Sequence, residues 1–391
     1  MRLSQRVVYS PLFLLIFSNF SVLAEDTNSS FHRFWPDNLF AAEFVTDDTG
    51  YIAGYSGTFL RTRDGGQNWD ALYIGRNELI RRISFVDENT GWAVGHRGSI
   101  FHTADGGESW AIQKELSGIY LRDVDFVDKN TGWVVGHNTS IWHTRDGGHS
   151  WQQQHLLGFE GRDPPRLHGV FAKDKENAIL VGEFGVIGHT ENGGEFWLVT
   201  PNKSSTTWLS VAGSNDVTYV VGLDGNMARL DIASEEERKI IAMDLEKQRA
   251  RKEKRARAKA KRMRKEYIEK EKLDLPHSDI EYSVTIVESN TSENLFDVSM
   301  AATGEAIVVG KSTVLKISGS NISMFSVDEK LPLPYIWFGG VAVTPGGNIW
   351  APGIRGLVAA GKLSDMTFAP AFNLAASDKV KLLSSRWDKE K

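Results

Sequence analysis

The sequence of 391 residues contains no cysteine. Disulfide frameworks, thiol nucleophiles and cysteine-ligated metal sites are therefore excluded. The net charge at pH 7 is only −5, which argues against binding to nucleic acid through overall charge. Beyond residue 24, no apolar run is long enough to cross a membrane as a helix. What the chain does contain is enough hydrophobic residues for a large core (41%) and unusually many glycines (37) and tryptophans (12).

The first 24 residues have the pattern of a secretory signal peptide. Arg2 and Arg6 supply positive charge, an apolar stretch follows from Pro11 to Phe20, and Ala24 ends a small-residue cleavage site. An uncleaved anchor is the alternative, but the apolar stretch is short for a span. We therefore expect cleavage after Ala24. The mature chain, residues 25–391, would then be exported to the periplasm or an equivalent lumen, either soluble or peripherally bound to a membrane.

Glycine, tryptophan and aspartate recur with a period of about 40 residues. The segment GWAVGHRGSIFHTADGGESW at 91–110 returns as GWVVG at 132–136 and TRDGGHSW at 144–151. A looser copy lies at 50–69, and a fourth copy ends at 190–197. Short β-branched segments between turn residues predict strands. Seven marker glycines predict an all-β, seven-bladed β-propeller with four strands per blade: Gly54, Gly95, Gly136, Gly182, Gly222, Gly310 and Gly353.

The two ends of the chain are expected to close the ring by sharing one blade. Its outer strand would come either from Phe31–Trp35 or from the strand near Met366–Pro370. The sequence by itself leaves both open, and it predicts a propeller that is monomeric.

One spacing, from Gly222 to Gly310, is about twice the period because residues 234–276 are inserted in blade five. The insertion opens with acidic residues, is rich in helix formers and contains no internal glycine or proline, which predicts a helix. Residues 247–265 contain twelve Lys or Arg and one Glu. The insertion must return to its own blade, so we expect a helical hairpin bent near Arg251–Ala258. A single helix lying across the propeller and a partly disordered segment are the alternatives.

The repeated motif Thr-x-Asp-Gly-Gly-x-x-Trp is an Asp-box, in which aspartate and glycine form a turn and tryptophan packs into the blade. Blades one to four have one copy each at their periphery, too far from the next to share chemistry. We therefore predict structural roles, and neither catalysis nor metal or cofactor binding, for Asp64, Trp69, Asp105, Trp110, Asp146, Trp151, Asn192 and Trp197. The same argument makes His102, His143 and His189 structural, since they also occupy equivalent positions in successive blades.

Arginines accumulate where the topology predicts a common face. Residues before the innermost strands and residues in the turns between second and third strands lie at the same end of the blades. Arginine is suited to carboxylates and phosphates. We predict a partner-binding face formed by Arg81, Arg82, Arg97, Arg122, Arg166 and Arg355. The alternative is ordinary solvated loop charge.

The basic insertion has three interpretations: a solvated helix without a partner, a protein-docking element, or a contact with an anionic membrane surface through residues 247–265. Nucleic acid is not expected as a partner of an exported chain.

The repeats, together with LRDVDFVD at 121–128 ahead of the next Gly-Trp pair, resemble the photosystem II stability/assembly factor family of BNR/Asp-box propellers. The resemblance covers residues 39–232 closely and 295–363 more loosely. It implies a non-enzymatic factor that binds a membrane-protein complex or its precursor through an arginine-rich face, with Arg81, Arg122 and Arg166 in the patch. The basic insertion departs from the compact family pattern, so another membrane complex is an alternative client.

Two other classes of function are compatible with an Asp-box propeller. Sialidase-type glycoside hydrolases also have Asp-boxes, but the Arg-Ile-Pro type of motif that they require is absent, and 162–166 (RDPPR) does not match it. A retaining carboxylate pair about 5–5.5 Å apart is set by tertiary geometry, so the sequence leaves glycoside hydrolysis open as an alternative. The other class is a carbohydrate-binding or adhesive propeller.

Overall fold

The computed structural model describes residues 38–214, 217–263, 276, 278–374 and 377–382. Seven antiparallel sheets, each with four principal strands, follow one another along the chain. The innermost strands of successive sheets contact each other, and those of the seventh contact those of the first. The predicted seven-bladed propeller is thus confirmed. The expected signal peptide (1–24) and the segment Phe31–Trp35 lie outside the described residues.

Each blade runs from its innermost to its outermost strand in chain order. Blade one contains β1 (Leu39–Phe44), β2 (Gly50–Gly54), β3 (Thr58–Thr62) and β4 (Trp69–Tyr73). Blade two contains β5 (Ile80–Phe85), β6 (Gly91–Gly95), β7 (Ser99–Thr103) and β8 (Ala111–Glu115). Blade three contains β9 (Leu121–Phe126), β10 (Gly132–Gly136), β11 (Ser140–Thr144) and β12 (Gln152–Gln154). Blade four is preceded by β13 (Leu156–Leu157) and contains β14 (Leu167–Ala172), β15 (Ala178–Gly182), β16 (Ile187–Thr190) and β17 (Trp197–Val199).

The second half of the ring includes the insertion. Blade five contains β18 (Trp208–Gly213), β19 (Thr218–Gly222), β20 (Asn226–Ile232) and β21 (Tyr282–Glu288), with helix α1 (Glu235–Arg262) between β20 and β21. Blade six contains β22 (Leu295–Met300), β23 (Ala306–Gly310), β24 (Thr313–Ser318) and β25 (Asn321–Met324). Blade seven is preceded by β26 (Ser326–Val327) and contains β27 (Ala342–Val343), β28 (Asn348–Pro352), β29 (Leu357–Lys362) and β30 (Thr367–Asn373), and β31 (Val380–Leu382) follows it.

The prediction that the two chain ends share one blade is confirmed for blade one, whose sheet contains both β1 and β31, but the strand near Met366–Pro370 is not the shared one. Blade one is complete with β1–β4, and the strand near Met366–Pro370 is β30, the outer strand of blade seven. The shared outer strand is β31, which leaves blade seven and pairs in parallel with β4 of blade one. In the same way, β13 follows blade three and pairs in parallel with the outer strand of blade four, and β26 follows blade six and pairs in parallel with the outer strand of blade seven. Closure therefore repeats a contact already used twice between neighbouring blades.

The described part of the insertion, up to residue 263, forms one helix without the predicted bend near Arg251–Ala258, and the return predicted for a hairpin lies outside the described residues. Helix α1 is continuous through that region and ends at Arg262. Its start is fixed by a capping box, in which the Ser234 hydroxyl accepts from the Glu237 N–H and Glu237 accepts from the Ser234 N–H. Uninterrupted helix formers explain why nothing breaks it. Within the described residues, no helix is both long and apolar enough to cross a membrane.

Candidate partner-binding face

One face of the propeller is defined by a hydrogen bond that recurs in all seven blades. The first N–H after the marker glycine donates to the carbonyl just before the innermost strand, as from His96 to Leu79 (3.1 Å) and from His137 to Tyr120 (2.9 Å). In blade seven the equivalent bond runs from the Ile354 N–H to the Trp337 carbonyl (3.2 Å), directly before the isolated bridge between Phe338 and Gly353 that precedes β27. The second turn of every blade is thus held against the start of its first strand, which confirms that these two sets of residues share a face.

A β-bulge near the start of the innermost strand directs side chains toward the mouth of the central channel. The register with the second strand skips one residue in six blades. A bulged residue is unpaired and its side chain is redirected. The six bulged residues form a ring: Phe40, Arg81, Arg122, His168, Leu209 and Phe296. Blades two to four therefore contribute the basic part of that ring.

Arg81, Arg122 and Arg166 are electrostatically coupled at this mouth. Arg81 is half-buried and its guanidinium lies 5.0 Å from the Phe40 ring. Burial, together with the charges of Arg82 and Arg122, lowers the Arg81 pKa to about 9. Burial and the charge of Arg166 lower the Arg122 pKa as well. The Arg122 Nε donates to His137 Nε2 (3.1 Å), and Arg166 lies 3.4 Å from Glu183. Arg81 and Arg122 are thus partly desolvated cations, whereas Arg166 is exposed and paired with Glu183.

Three histidines belong to the same cluster and are held neutral by it. Burial and the charge of Arg122 lower the pKa of His96 and His137 to about 4 and that of His168 to about 3. The Nε2 atoms of His96 and His168 are buried without a hydrogen-bond partner. We call the three arginines and three histidines together the mouth cluster. Sequence reasoning missed His168, although it occupies the position of Arg81 and Arg122 in the next repeat.

Arg82 is not on this face. It follows the bulge and points into the channel, where its guanidinium donates to Asp297 Oδ1 (2.8 Å), Phe40 O (2.8 Å) and Gly339 O (3.2 Å). Its side chain is 11% exposed, and Asp123 lies 3.9 Å away. The sequence predicted a partner-binding role together with Arg81. The bulge separates the two, and Arg82 contacts other blades of the same chain instead.

Arg97 and Arg355 do lie on the predicted face, in the exposed turns of blades two and seven. Their backbone N–H groups donate to Glu78 and Asn38, and their side chains are outside the mouth cluster. Aromatic side chains interleave with these charges: Tyr55, Tyr120 and Phe184 are 41%, 50% and 55% exposed. An exposed mixture of arginine and aromatic residues is typical of protein-binding surfaces.

The Asp-boxes form turns, as predicted. In blade two, Asp105 Oδ1 accepts from the Ser109 N–H (2.8 Å) and from the Thr103 hydroxyl (2.8 Å), and Thr103 accepts from the Gly107 N–H (2.9 Å). Asp64, Asp146 and Asn192 accept the equivalent hydroxyl bond in their blades. Trp69 and Trp197 are buried, whereas Trp110 and Trp151 are partly exposed. These aspartates face their own turns, away from the channel.

The repeated histidines sit in separate blades. His189 Nδ1 contacts the Thr200 hydroxyl (2.9 Å), His143 stacks on Trp133 (4.5 Å between centroids), and His102 packs at a tilt on Trp92 (5.1 Å). In the part of the chain that the structure describes, no group of three His, Cys, Asp or Glu residues is arranged to hold a metal ion.

Comparison with known proteins finds a family model that matches the first part of the ring. Residues 34–118 and 112–204 match the family model described as Photosynthesis system II assembly factor YCF48. The solved structure titled YCF48 bound to D1 peptide aligns with 83% of this chain and 92% of that one, at 14% identity and a TM-score of 0.56. YCF48 from Cyanidioschyzon merolae aligns with 85% of this chain and 97% of that one, at 15% identity and a TM-score of 0.57.

The fold is also shared with an enzyme. The GH74 enzyme of Niastella koreensis aligns with 86% of this chain and 54% of that one, at 11% identity and a TM-score of 0.60. A search of curated proteins by sequence gives no match. Identities this low show the fold alone, whereas the family match rests on the repeats themselves. The resemblance inferred from those repeats is confirmed, and the chain is a seven-bladed propeller similar to the photosystem II assembly factor family.

Proposed function

We propose that this protein is an exported, non-enzymatic assembly or stability factor that binds a membrane-protein complex, or a precursor of it, as a monomeric propeller. The observation that carries the proposal is the mouth cluster. Arg81 has no carboxylate within 4 Å among the described residues, and its neighbours Arg122 and Arg166 are also cationic. A carboxylate from a partner would neutralise charge that the chain itself leaves uncompensated.

The comparisons support the kind of client. A solved structure is titled YCF48 bound to D1 peptide, so a protein of similar fold binds a peptide. We infer that this chain also receives a peptide segment, with its carboxylates at Arg81, Arg122 and Arg166 and with Arg97 and Arg355 at the edge of the face. The exposed Tyr120 and Phe184 would add apolar contacts.

Capture of membrane proteins tests this proposal. Immobilised wild type, an Arg81→Gln/Arg122→Gln/Arg166→Gln variant and a matched control would be incubated with detergent-solubilised membranes and analysed by mass spectrometry. The control, Arg63→Gln/Lys129→Gln/Lys175→Gln, removes three exposed positive charges from the Asp-box end of blades one, three and four. We expect one integral membrane protein to be retained by wild type and control and lost, by about tenfold or more, by the mouth variant.

Equal recovery by the mouth variant and the control would overturn the binding role of the cluster. A second measurement, the affinity of each variant for a D1 peptide, decides whether the client resembles that of YCF48. Tight binding that depends on the mouth cluster would identify a photosystem-type client. Membrane capture without D1 binding would identify another complex.

A further inference from the structure

Helix α1 connects the two ends of the propeller along its outer side. It starts beside β20 and β21 at the Asp-box end, where Glu237 reaches Ser283. Seven residues later, Asp244 forms an ion pair with Lys203 (3.2 Å). Lys203 lies in the loop between β17 and β18, and the Gly185 N–H, in the second turn of blade four, donates to Thr206 of that loop (2.7 Å). The first part of α1 therefore rises to the partner-binding face.

A cleft of about 750 Å³ lies between this part of α1 and blades four and five. Its apolar lining includes Phe159, Phe184, Ile240, Ile241, Leu245 and Ile286. Phe184, Ile240 and Ile286 are 55%, 56% and 56% exposed. The volume is within the range of ligand-binding pockets. Large apolar side chains grouped in a concave site are a mark of recognition.

The second part of α1, residues 246–262, extends beyond the cleft as a basic arm. It contains ten Lys or Arg and two Glu, hence a net charge of 10 − 2 = +8. Seventeen helical residues correspond to about 25 Å. The four basic side chains from Lys254 to Lys259 are exposed. One ion pair inside the arm joins Glu253 to Arg257.

The arrangement favours an acidic peptide over a lipid surface. A helix that lies in a membrane interface needs an apolar face, and the arm has none. The apolar residues are instead gathered in a cleft, whose concave shape suits a chain segment better than a flat bilayer. Because the same helix lines the cleft and forms the arm, one ligand in extended conformation can contact both.

We propose that the cleft and the basic arm form one docking site for a peptide segment that has apolar residues followed by a run of carboxylates. The apolar side chains enter the cleft against Phe184, Ile240 and Ile286, and the carboxylates lie along residues 246–262. The inference rests on the proposed function only in taking this segment to be part of the client. The cleft contains no residue of the mouth cluster and shares only Phe184 with the partner-binding face around it.

The test uses a dye-labelled synthetic peptide, Leu-Phe-Leu-Leu followed by six Glu, measured by fluorescence anisotropy. The substitution Ile286→Asp places a charge in the cleft and should weaken binding by about tenfold or more. Its matched control is Ile112→Asp, because Ile112 is also an exposed isoleucine (45%) on the outer strand of a blade. That control should bind within about twofold of wild type. Both positions are exposed, so folding should be unaffected, which circular dichroism checks.

The arm is tested with Lys254→Gln/Arg255→Gln/Lys259→Gln/Lys261→Gln. Four exposed charges should together account for about a tenfold loss of affinity and for most of its salt dependence. The Arg63/Lys129/Lys175 control should retain both. A second peptide with Gln in place of Glu should bind wild type and the arm variant equally.

Equal affinity of wild type and Ile286→Asp, or of wild type and the arm variant, would overturn the site. Vesicles containing phosphatidylglycerol are tested as a second ligand. If they bind wild type but not the arm variant, while the peptide binds both, the arm is a lipid contact and the proposal is wrong. The mouth variant should bind this peptide within about threefold of wild type. If only the mouth variant loses affinity for the peptide, the peptide binds at the mouth cluster and the docking site is wrong. If the membrane capture fails but the peptide results are as expected, the proposed function is wrong and the docking site is still supported.

Discussion

Arg82 of blade two donates a 2.8 Å hydrogen bond across the central channel to Asp297 of blade six. Asp297 also accepts from the Ser210 hydroxyl (2.7 Å) of blade five and from the Val341 N–H (2.9 Å) of blade seven. Through Phe40, Asp123 and Val170 the same network reaches blades one, three and four. One connected polar network thus contacts all seven blades, beneath the mouth cluster.

Replacing Arg82 by Met should destabilise the protein by about 3–5 kcal/mol, because it leaves Asp297 buried without its cationic partner. Urea-induced unfolding measures the change. Arg97→Met, in an exposed turn of the same blade, is the control and should stay within about 0.5 kcal/mol of wild type. The double variant Arg82→Met/Asp297→Asn should recover part of the loss, since the uncompensated charge is then removed. A loss of less than about 1 kcal/mol in Arg82→Met would contradict a central structural role.

Asp125 should make the protein less stable as pH rises toward neutrality. Burial, reinforced by the charge of Asp123 and opposed by the Ala172 N–H, raises the Asp125 pKa to about 7. An acid whose pKa is higher when folded stabilises the fold below its unfolded pKa of about 3.9, and this contribution is lost as pH rises through about 7. Between pH 5 and pH 8, Asp125→Asn should therefore lose about 2 kcal/mol less stability than wild type.

Unfolding free energies at the two pH values check this difference. Asp146→Asn is the control. Hydrogen bonds from Ser150 lower the Asp146 pKa to about 2, so its titration lies below pH 5. The change in its unfolding free energy between pH 5 and pH 8 should match that of wild type. If Asp125→Asn has the wild-type slope as well, the carboxyl is already charged at pH 5 and the prediction is wrong.

The neutral state of the mouth histidines should depend on Arg122. After burial, the charge of Arg122 is the largest effect that lowers the pKa of His137 and His168. Arg122→Gln should raise both pKa values, and NMR titration of the imidazole protons measures them. Arg355→Gln, on the same face in blade seven, should change neither. Since both histidines remain neutral in wild type until the pH falls to about 4, client binding should be constant between pH 6 and pH 8.

The second glycine of the Asp-box should tolerate no side chain because of the neighbouring blade. Gly107 has φ 81° and a Cβ there would overlap the Phe59 ring of blade one. Gly118 has φ 78°, and a Cβ there would meet nothing within 4 Å. Gly118→Ala should therefore lower the free energy of unfolding only through the strain of a left-handed backbone, by about 1–2 kcal/mol. Gly107→Ala should lower it by about 1–3 kcal/mol more, because its Cβ also overlaps the Phe59 ring. Thermal and urea unfolding of both variants measure the difference, and equal losses would refute the packing argument.

The repeats predicted most of the architecture because blades are local. Every strand of a blade pairs with a neighbour in sequence, and the marker glycines and Asp-box turns fix its ends, so periodicity alone gives seven blades. The common face of Arg97 and Arg122 also follows from this local topology. Closure by β31 could not be predicted in this way, because the three short parallel strands β13, β26 and β31 have no repeat pattern of their own.

The amino-acid sequence by itself determined the number of blades, the structural role of the Asp-boxes and the presence of a basic helix in blade five, because short-range pairing, turn chemistry and helix propensity are properties of neighbouring residues. Only the tertiary structure decided that a bulge leaves Arg81 at the mouth and sends Arg82 into the channel. It also decided that His168 joins the cluster and that α1 runs unbroken past an apolar cleft. These outcomes depend on side chains from distant blades meeting in one place, where burial and the charges of other blades set what each residue can do.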